Sequence, residues 1–444
     1  MTVNLTNNLP VAAGPTSILF PGFNVTTAAG APGLLTQEAT HGATVTYTFV
    51  ASTPGTHAYY SGTQGDLQVE MGLFGAIIVL PNSVPVNCDD GLPAANPGAN
   101  AKAQSYWKET DFRLAHAAYD HAATCYDREY LFQFSELDPA IHTAARAQVN
   151  ALSACTTYGV GGCSLDVPTE PYHPAYFLIN GRSMPDDMDP NYAPMYPNQP
   201  YNGNPHMHPG EITLVRVIGQ GRWQHPFHEH GNHVRILARD GNLLLTPNGN
   251  LAGPLMFTTT TTPGVAFDGL FYWTGKGLNW DVYGHNPAST DANAKLSCTP
   301  DANGYNTGAP TAINYFEWCQ DHTKPLQVAP FGDLPSGGPV TLPDPQVLKP
   351  GTWYAGSPYF GPDANTRATF GTCNGLLGNA SSCGTTGTAS PSNTIANNPS
   401  SEAAYAFMWH SHNEREITTN NIFPGGMMMM LLVDSREIVI DESQ

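Results

Sequence analysis

Alternation of apolar and polar residues is the feature that most constrains the fold of this chain. In "ATVTYTFV" (43–50), Val45 and Tyr47 alternate with threonines, as in an antiparallel strand with one buried face. "EITLVRVIG" (211–219) has the same period of two. "MGLFGAIIVLP" (71–81) is too short to cross a membrane and is typical of a buried strand. These patterns predict an all-β protein.

Length and composition limit the possible classes of function. A chain of 444 residues exceeds one ordinary domain, so we expect two or three domains, each with its own core. Abundant Gly (44) and Pro (39), with only 12% charged residues, favour a turn-rich β protein. The net charge of −19 repels nucleic acid and anionic membrane surfaces. We therefore predict no nucleic-acid partner and no membrane span.

The eight cysteines indicate structural disulfides, because none of them forms a C-x-x-C pair. Such disulfides persist in oxidising compartments, which predicts a secreted or cell-surface protein. Short loops favour the disulfides Cys155–Cys163 and Cys373–Cys383. The four remaining cysteines would then form Cys88–Cys125 and Cys298–Cys319. Sequence alone does not exclude other pairings.

Local signals also predict how the chain is organised. One helix is expected in "ELDPAIHTAARAQVNALS" (136–153), with Asp138 as its cap and Pro139 in its first turn. Residues 83–124 have the composition of a linker. Residues 240–405 are rich in Gly, Asn, Thr and Pro, and they predict a long irregular insertion held by disulfides.

Four stretches resemble, in sequence and order, the copper-binding segments of multicopper oxidases: "TSILFPGF" (16–23), "GTHAYYSGTQGDLQVEMGLFGAIIVLP" (55–81), "HPFHEHGNHVRILARDG" (225–241), and "MWHSHNEREI" (408–417) with "GGMMMM" (425–430). "DREYLFQFSELD" (127–138) resembles the opening strand of a second domain in that family. The resemblance implies two cupredoxin-like Greek-key β-sandwich domains, 1–124 and 125–444, with residues 240–405 inserted in the second. Because "MTVNLTNNLP" reads as mid-domain strand sequence, we expect the first domain to lack its first strands.

The first three segments differ in how many family ligands they keep. The family pattern H-W-H-G is replaced by Leu19, Phe20, Pro21 and Gly22, and the pattern Y-H-S-H is replaced by Tyr59, Tyr60, Ser61 and Gly62. The third segment is intact, and the resemblance assigns the type 1, type 2 and type 3 copper positions in turn to His225, His228 and His230.

The fourth segment keeps its type 3 ligands but not its type 1 ligands. His410 and His412 match the type 3 positions, whereas Ser411 replaces the type 1 cysteine and Glu416 replaces the type 1 histidine. A type 1 copper depends on a soft thiolate, which a serine hydroxyl does not replace. Too few imidazoles remain for a trinuclear cluster, and an identical neighbouring subunit lacks the same histidines. We therefore expect no laccase-type activity.

The surviving histidines still predict one metal site. In a strand, residues i and i+2 face the same side, so each H-x-H pair presents two imidazoles to one point. Together His228, His230, His410 and His412 would suit one copper, with zinc or another divalent metal as the alternative. A second interpretation makes these histidines relics, hydrogen-bonded to one another or to nearby polar groups.

The type 1 position supports a separate expectation. We expect Glu416 to pair with His225 in the vacated pocket, although both residues remain weaker candidates for metal ligands.

Three further motifs have simpler interpretations. His410, His412 and Glu416 have the H-x-H-x-x-x-E spacing of a cupin metal motif, which the flanking resemblance disfavours. His206 and His208 form a third H-x-H pair in a Pro/Gly turn, where we expect a solvated loop with peripheral metal binding as the second possibility. The run 427–430 of four methionines is predicted to pack in the core.

Two classes of function follow from the sequence. The first is a secreted multicopper-oxidase-like protein that binds one transition metal, without a type 1 copper or a complete trinuclear cluster. The second is a metal-free cupredoxin scaffold for assembly or adhesion at the cell surface, and a homo-oligomer is compatible with either class. Metal analysis of the purified protein separates the two.

Overall fold

The computed structural model describes residues 1–88, 113–208, 210–273 and 404–433, with short pieces at 300–302, 304, 306, 356–359 and 440. Its N-terminal part contains a short helix α1 (Gly65–Gln68) and eight strands: β1 (Thr2–Thr6), β2 (Ile18–Leu19), β3 (Thr26–Ala29), β4 (Ala31–Pro32), β5 (Gln37–Glu38), β6 (Thr44–Thr48), β7 (Gly55–Ser61) and β8 (Phe74–Val79).

The N-terminal strands form two three-stranded antiparallel sheets and one two-stranded sheet. The three-stranded sheets have the orders β1-β6-β3 and β2-β7-β8. Val45 and Tyr47 on β6 are fully buried, and Phe49 just beyond it is also buried, so the alternation predicted for residues 43–50 is confirmed. These side chains share one apolar cluster with Ile18 and Ile77 of the other sheet.

The C-terminal part contains helix α2 (Pro139–Ala151) and thirteen strands: β9 (Arg128–Leu137), β10 (Tyr176–Ile179), β11 (His206–Met207), β12 (Ile212–Gly219), β13 (His225–Glu229), β14 (Val234–Arg239), β15 (Asn242–Leu243), β16 (Leu255–Met256), β17 (Thr258–Thr261), β18 (Ala266–Tyr272), β19 (Gly356–Tyr359), β20 (Ala404–Ser411) and β21 (Met428–Val433).

Two large sheets enclose the main core. The first has the order β10-β9-β12-β18-β14-β15, with β16 also paired to β14, and the second has the order β11-β21-β20-β13-β17, with β19 also paired to β20. Phe132 and Val215 from the first sheet pack in one buried cluster with Phe227 and Trp409 from the second. The predicted all-β class is confirmed, with the two-sheet arrangement expected of a cupredoxin-like sandwich.

Strand β12 differs from the sequence prediction. Alternation predicted one buried face, but nearly every residue of β12 is buried, including Arg216, which is 1% exposed. Val215 faces the sandwich core, while Leu214 packs on the opposite side with Tyr119. Residues far away in the sequence cover that second side, so the local pattern was not sufficient to predict its burial.

An ionic cluster on this second side joins the two parts of the chain. Arg216 lies 2.9 Å from Glu129 and 3.4 Å from Asp268, and all three are buried or nearly so. Asp268 also accepts hydrogen bonds from Thr56, on β7, and from Tyr119. The N-terminal part is therefore attached to β18 through buried polar contacts.

The predicted helix is confirmed. Helix α2 begins at Pro139, and the Asp138 carboxylate accepts a 2.8 Å hydrogen bond from the Ala140 amide, which is the N-cap contact. Ile141 and Ala145 are buried on its inner face and pack with Leu67 of α1.

Two of the four proposed disulfides are present and the other two lie outside the described residues. Cys88 bonds to Cys125 and Cys155 bonds to Cys163, as predicted. The remaining pairs were Cys298–Cys319 and Cys373–Cys383, all in parts of the chain that the structure does not describe.

Two segments assigned to irregular structure take part in the fold. Within the proposed linker, Ala117, Ala118 and Tyr119 are buried, so its described end is packed against the C-terminal sheet. Within the proposed insertion, residues 242–272 contribute strands β15 to β18 to the two large sheets. The domain boundary near residue 124 stays a prediction. No described helix is long and apolar enough to cross a membrane.

Candidate metal centre

Strand pairing between β13 and β20 brings the two H-x-H pairs together. The strands are antiparallel, and His228 lies directly opposite His410 in their register. The neighbouring residues Phe227 and Trp409 point into the sandwich core. Because side chains alternate along a strand, the four histidines of the two pairs share the opposite, outer face of the sheet.

The four imidazoles form one compact cluster on this face. The His228 ring centre lies 4.8 Å from that of His230, 5.5 Å from that of His410 and 4.9 Å from that of His412. The two Nε2 atoms of His230 and His410 are 3.3 Å apart. One ligand atom from each of His228, His230 and His410 lies within 4.8 Å of the other two.

Hydrogen bonds to the outer nitrogens orient two of these rings. The Nδ1 atom of His410 lies 2.7 Å from the Ser411 carbonyl oxygen, which only accepts, so this nitrogen carries the proton. The Nε2 atom of neutral His410 therefore holds its lone pair toward His230. The Nδ1 atom of His228 lies 2.6 Å from the Thr258 hydroxyl on β17. Such contacts are the usual means of fixing the tautomer and direction of a metal-binding histidine.

Burial keeps the inner imidazoles neutral. Burial, together with the neighbouring imidazoles of His410 and His412, lowers the pKa of His228 to about 4. Burial also lowers the pKa of His410. His412 is exposed, so the cluster is open to solvent on one side. Neutral imidazoles with one open side are the form that binds a metal ion.

The type 1 position holds a different arrangement. His225 is fully buried, with Nε2 3.0 Å from Glu136 Oε2 and Nδ1 3.0 Å from Glu416 Oε2. The Ser411 hydroxyl donates to the same Glu416 carboxylate. Asn413 donates to the other Glu416 oxygen at 2.9 Å. The expected contact between Glu416 and His225 is therefore confirmed.

His225 is held as a cation between two carboxylates. Burial by itself would lower the pKa of His225, but the hydrogen bonds to Glu136 and Glu416 outweigh burial and raise the pKa to about 9. A protonated imidazole has no lone pair for a metal ion. Hydrogen-bonding groups thus occupy the pocket that a type 1 copper would need.

Glu136 was not singled out from the sequence. It is 3% exposed and accepts hydrogen bonds from the backbone amides of Arg222 and Trp223, at 2.6 and 2.9 Å, and from the Tyr172 hydroxyl at 3.1 Å. It occupies an inward position on β9, next to Ser135. A charged residue at the end of an apolar strand was the available signal, although its partner His225 lies 89 residues away.

The structure also shows how two of the other motifs are arranged. Glu416 bonds to Ser411 and His225, on the inner side of β20, so His410, His412 and Glu416 do not converge as a cupin motif requires. The methionine run packs as predicted, since Met427 and Met429 are fully buried in the main core.

The prediction of a solvated loop for the third H-x-H pair is wrong for His208. His208 is fully buried and its amide donates to Glu211 at 2.7 Å, and Glu211 in turn pairs with Arg128. His206 is half-buried on β11, and its Nε2 atom lies 3.2 Å from Nδ2 of the Asn204 side chain. Pairing of β11 with β21 draws this turn into the sheet, which the Pro/Gly composition did not reveal.

The family model described as multicopper oxidase matches residues 1–84, which confirms the resemblance over that part of the chain. Among solved structures, a blue copper oxidase from Nitrosomonas europaea is 14% identical, covers 97% of this chain and 72% of its own, and has a TM-score of 0.42. The multicopper oxidase mgLAC is 14% identical, covers 100% of this chain and 75% of its own, and has a TM-score of 0.42. Fet3p, described as a multicopper oxidase that functions in iron import, is 18% identical, covers 61% of this chain and 37% of its own, and has a TM-score of 0.35. Likenesses of this size carry no inference about activity. No curated protein matches the chain.

Proposed function

We propose that this chain is a secreted multicopper-oxidase-like protein that binds one transition metal, with copper favoured, through the cluster of His228, His230, His410 and His412. The observation that carries the proposal is the 3.3 Å separation of the Nε2 atoms of His230 and His410. Two nitrogens bound to one tetrahedral ion at the usual 2.0 to 2.1 Å lie about 3.3 Å from each other.

The chemistry of the donor set supports a borderline or soft ion. Imidazole nitrogens suit copper, zinc and nickel, while calcium and magnesium require oxygen ligands. His410 donates from Nδ1 to a carbonyl and keeps Nε2 for the ion, and the His228 ring is oriented by the contact of its Nδ1 with the Thr258 hydroxyl. A copper held there would supply one-electron redox or Lewis-acid chemistry at an open position.

The residues themselves limit the reaction that such a site would support. Ser411 stands where a thiolate would connect a second copper, and His225 is occupied by Glu136 and Glu416. No described group therefore offers a second redox centre next to the cluster. We infer a mononuclear site and no laccase-type turnover of phenols.

The proposed secretion rests on the disulfides Cys88–Cys125 and Cys155–Cys163. Disulfides of this kind are rare in reducing compartments and common in exported proteins.

Metal analysis after chelator treatment tests the metal site. The purified protein is stripped, titrated with Cu²⁺ or Zn²⁺ by calorimetry, and analysed for bound metal. We expect one equivalent in the wild type and none in the variant His228→Ala/His410→Ala. The matched control His41→Ala/His173→Ala removes two exposed histidines from elsewhere and should keep the metal.

Thermal unfolding gives a second measurement on the same proteins. The double variant should have a lower Tm than wild type only when metal is present, because the ion binds the folded state. Retention of stoichiometric metal by the variant would refute the site.

A metal-free scaffold is the second candidate, and the type 1 pocket favours it. At the position that the resemblance assigns to the type 1 copper, the side chains of Glu136, Glu416 and Ser411 supply ion-pair and hydrogen-bond contacts without a metal. If wild type binds no transition metal, the histidine cluster is satisfied in the same way, and assembly at the cell surface becomes the better function.

A further inference from the structure

A buried carboxylate outside the histidine cluster, that of Asp187, has no hydrogen-bond partner at either oxygen among the described residues. Asp187 belongs to the turn Asp186–Met188 and is fully buried. Buried carboxylates are normally paired or bound to a metal, because an isolated buried charge is costly.

A neighbouring cation, Arg182, attracts the Asp187 carboxylate electrostatically but donates its hydrogen bonds elsewhere. Arg182 is buried beside this turn, but its hydrogen bonds all go to backbone carbonyls. The shortest of them joins Nη2 to the Gln199 carbonyl at 2.6 Å. Arg182 thus organises the loop without donating to Asp187.

A second buried oxygen without a hydrogen-bond partner in the described part of the chain belongs to the side chain of Asn204, the residue after Gly203 in the same loop. Gly203 connects the two residues, because its amide donates to the Asp187 carbonyl at 2.7 Å. A side chain built on Gly203 would lie 3.4 Å from Asp187 Oδ2, so the carboxylate is directed toward this segment.

The chemistry of these atoms selects the class of ligand. Carboxylate and amide oxygens are hard donors, and calcium accepts six to eight of them in flexible geometry, with carbonyls and water completing the shell. Asp186 and Asp189 flank the site and add negative charge to attract a divalent cation. We propose that Asp187 and Asn204 provide side-chain ligands to a calcium-class cation that binds the 185–205 loop.

This inference goes beyond the histidine site and is independent of it, since calcium does not prefer imidazole nitrogens. The variant His228→Ala/His410→Ala should therefore bind calcium as the wild type does. Loss of calcium from that variant would contradict the independence of the two sites.

The test uses the full chain, stripped with a calcium chelator and titrated with Ca²⁺ alone. We expect one bound equivalent by equilibrium dialysis, and a Tm rise of about 3 to 4 °C at about one hundred times Kd. Asp187→Asn keeps the size of the side chain and should abolish both effects. Asp166→Asn, which changes an exposed carboxylate outside this loop, should keep them.

The competing account is a neutral acid, because burial raises the pKa of Asp187 to about 8. It predicts no calcium binding by the wild type and an Asp187→Asn protein as stable as wild type in calcium. Either result would overturn the proposal, and the first needs no variant to fold.

Discussion

The buried ion triad of His225, Glu136 and Glu416 makes the free energy of unfolding depend on pH in a defined direction. The folded-state pKa of His225 is about 9, and its ordinary value is 6.5. A group whose pKa is raised by folding stabilises the protein fully below the ordinary value and loses that contribution as pH rises through the folded value. We therefore expect the free energy of unfolding to fall between about pH 6.5 and about pH 9.

The magnitude follows from the same two values. At about 1.4 kcal/mol for each pH unit between them, the contribution is at most about 3.5 kcal/mol. A change of that size is a substantial share of the stability of a typical domain.

Urea unfolding from pH 6 to 10, followed by tryptophan fluorescence, measures this contribution. The variant His225→Gln/Glu416→Gln replaces the ion pair by two amides of similar shape, and its stability should vary less over that range. Glu136 remains hydrogen-bonded to the Arg222 and Trp223 amides in the variant. The single variant Glu416→Gln removes one of the two carboxylates that raise the folded-state pKa, so its decline should still begin near the ordinary value but end at lower pH and be smaller. Parallel pH profiles for wild type and the double variant would refute a protonated His225.

Three further outcomes are expected. Free-thiol titration of the denatured, unreduced protein should find none of the eight cysteines reactive, and two or more reactive thiols would contradict an oxidised chain. Excess copper should give no intense band near roughly 600 nm, because Ser411 replaces the thiolate that such centres require; a blue protein would refute the alignment of that residue. Arg216→Met should lower the free energy of unfolding by about 3 to 5 kcal/mol, because it leaves Glu129 and Asp268 buried without their cation. The exposed control Arg146→Met should change it by less than about 0.5 kcal/mol, and equal effects of the two substitutions would contradict the reasoning.

Local periodicity predicted the part of the site that depends on a single strand. The spacing of His228 and His230 places them on one side of an extended segment, and the same holds for His410 and His412, although His230 and His412 each lie one residue beyond the end of β13 and β20. The resemblance to a known family then suggested that these strands are neighbours.

The parts that escaped prediction depend on contacts between distant segments. Glu136 reaches His225 only because β9 and β13 lie in facing sheets. The second face of β12 is buried because Tyr119 packs on Leu214, and His208 is buried because β11 pairs with β21. A periodic pattern contains no information about which distant residue covers a surface.

The register between β13 and β20 also has a consequence for folding kinetics. His230 and His410 are separated by 180 positions in the chain, and β20 enters its sheet between β13 and β21. Contacts at such separations form slowly, because a long loop must close before any pairing energy is gained. Hairpin neighbours within the first sheet, such as β14 and β15, need much shorter closures. We therefore expect the histidine cluster to assemble among the last elements of the sandwich, after much of the apolar core has collapsed.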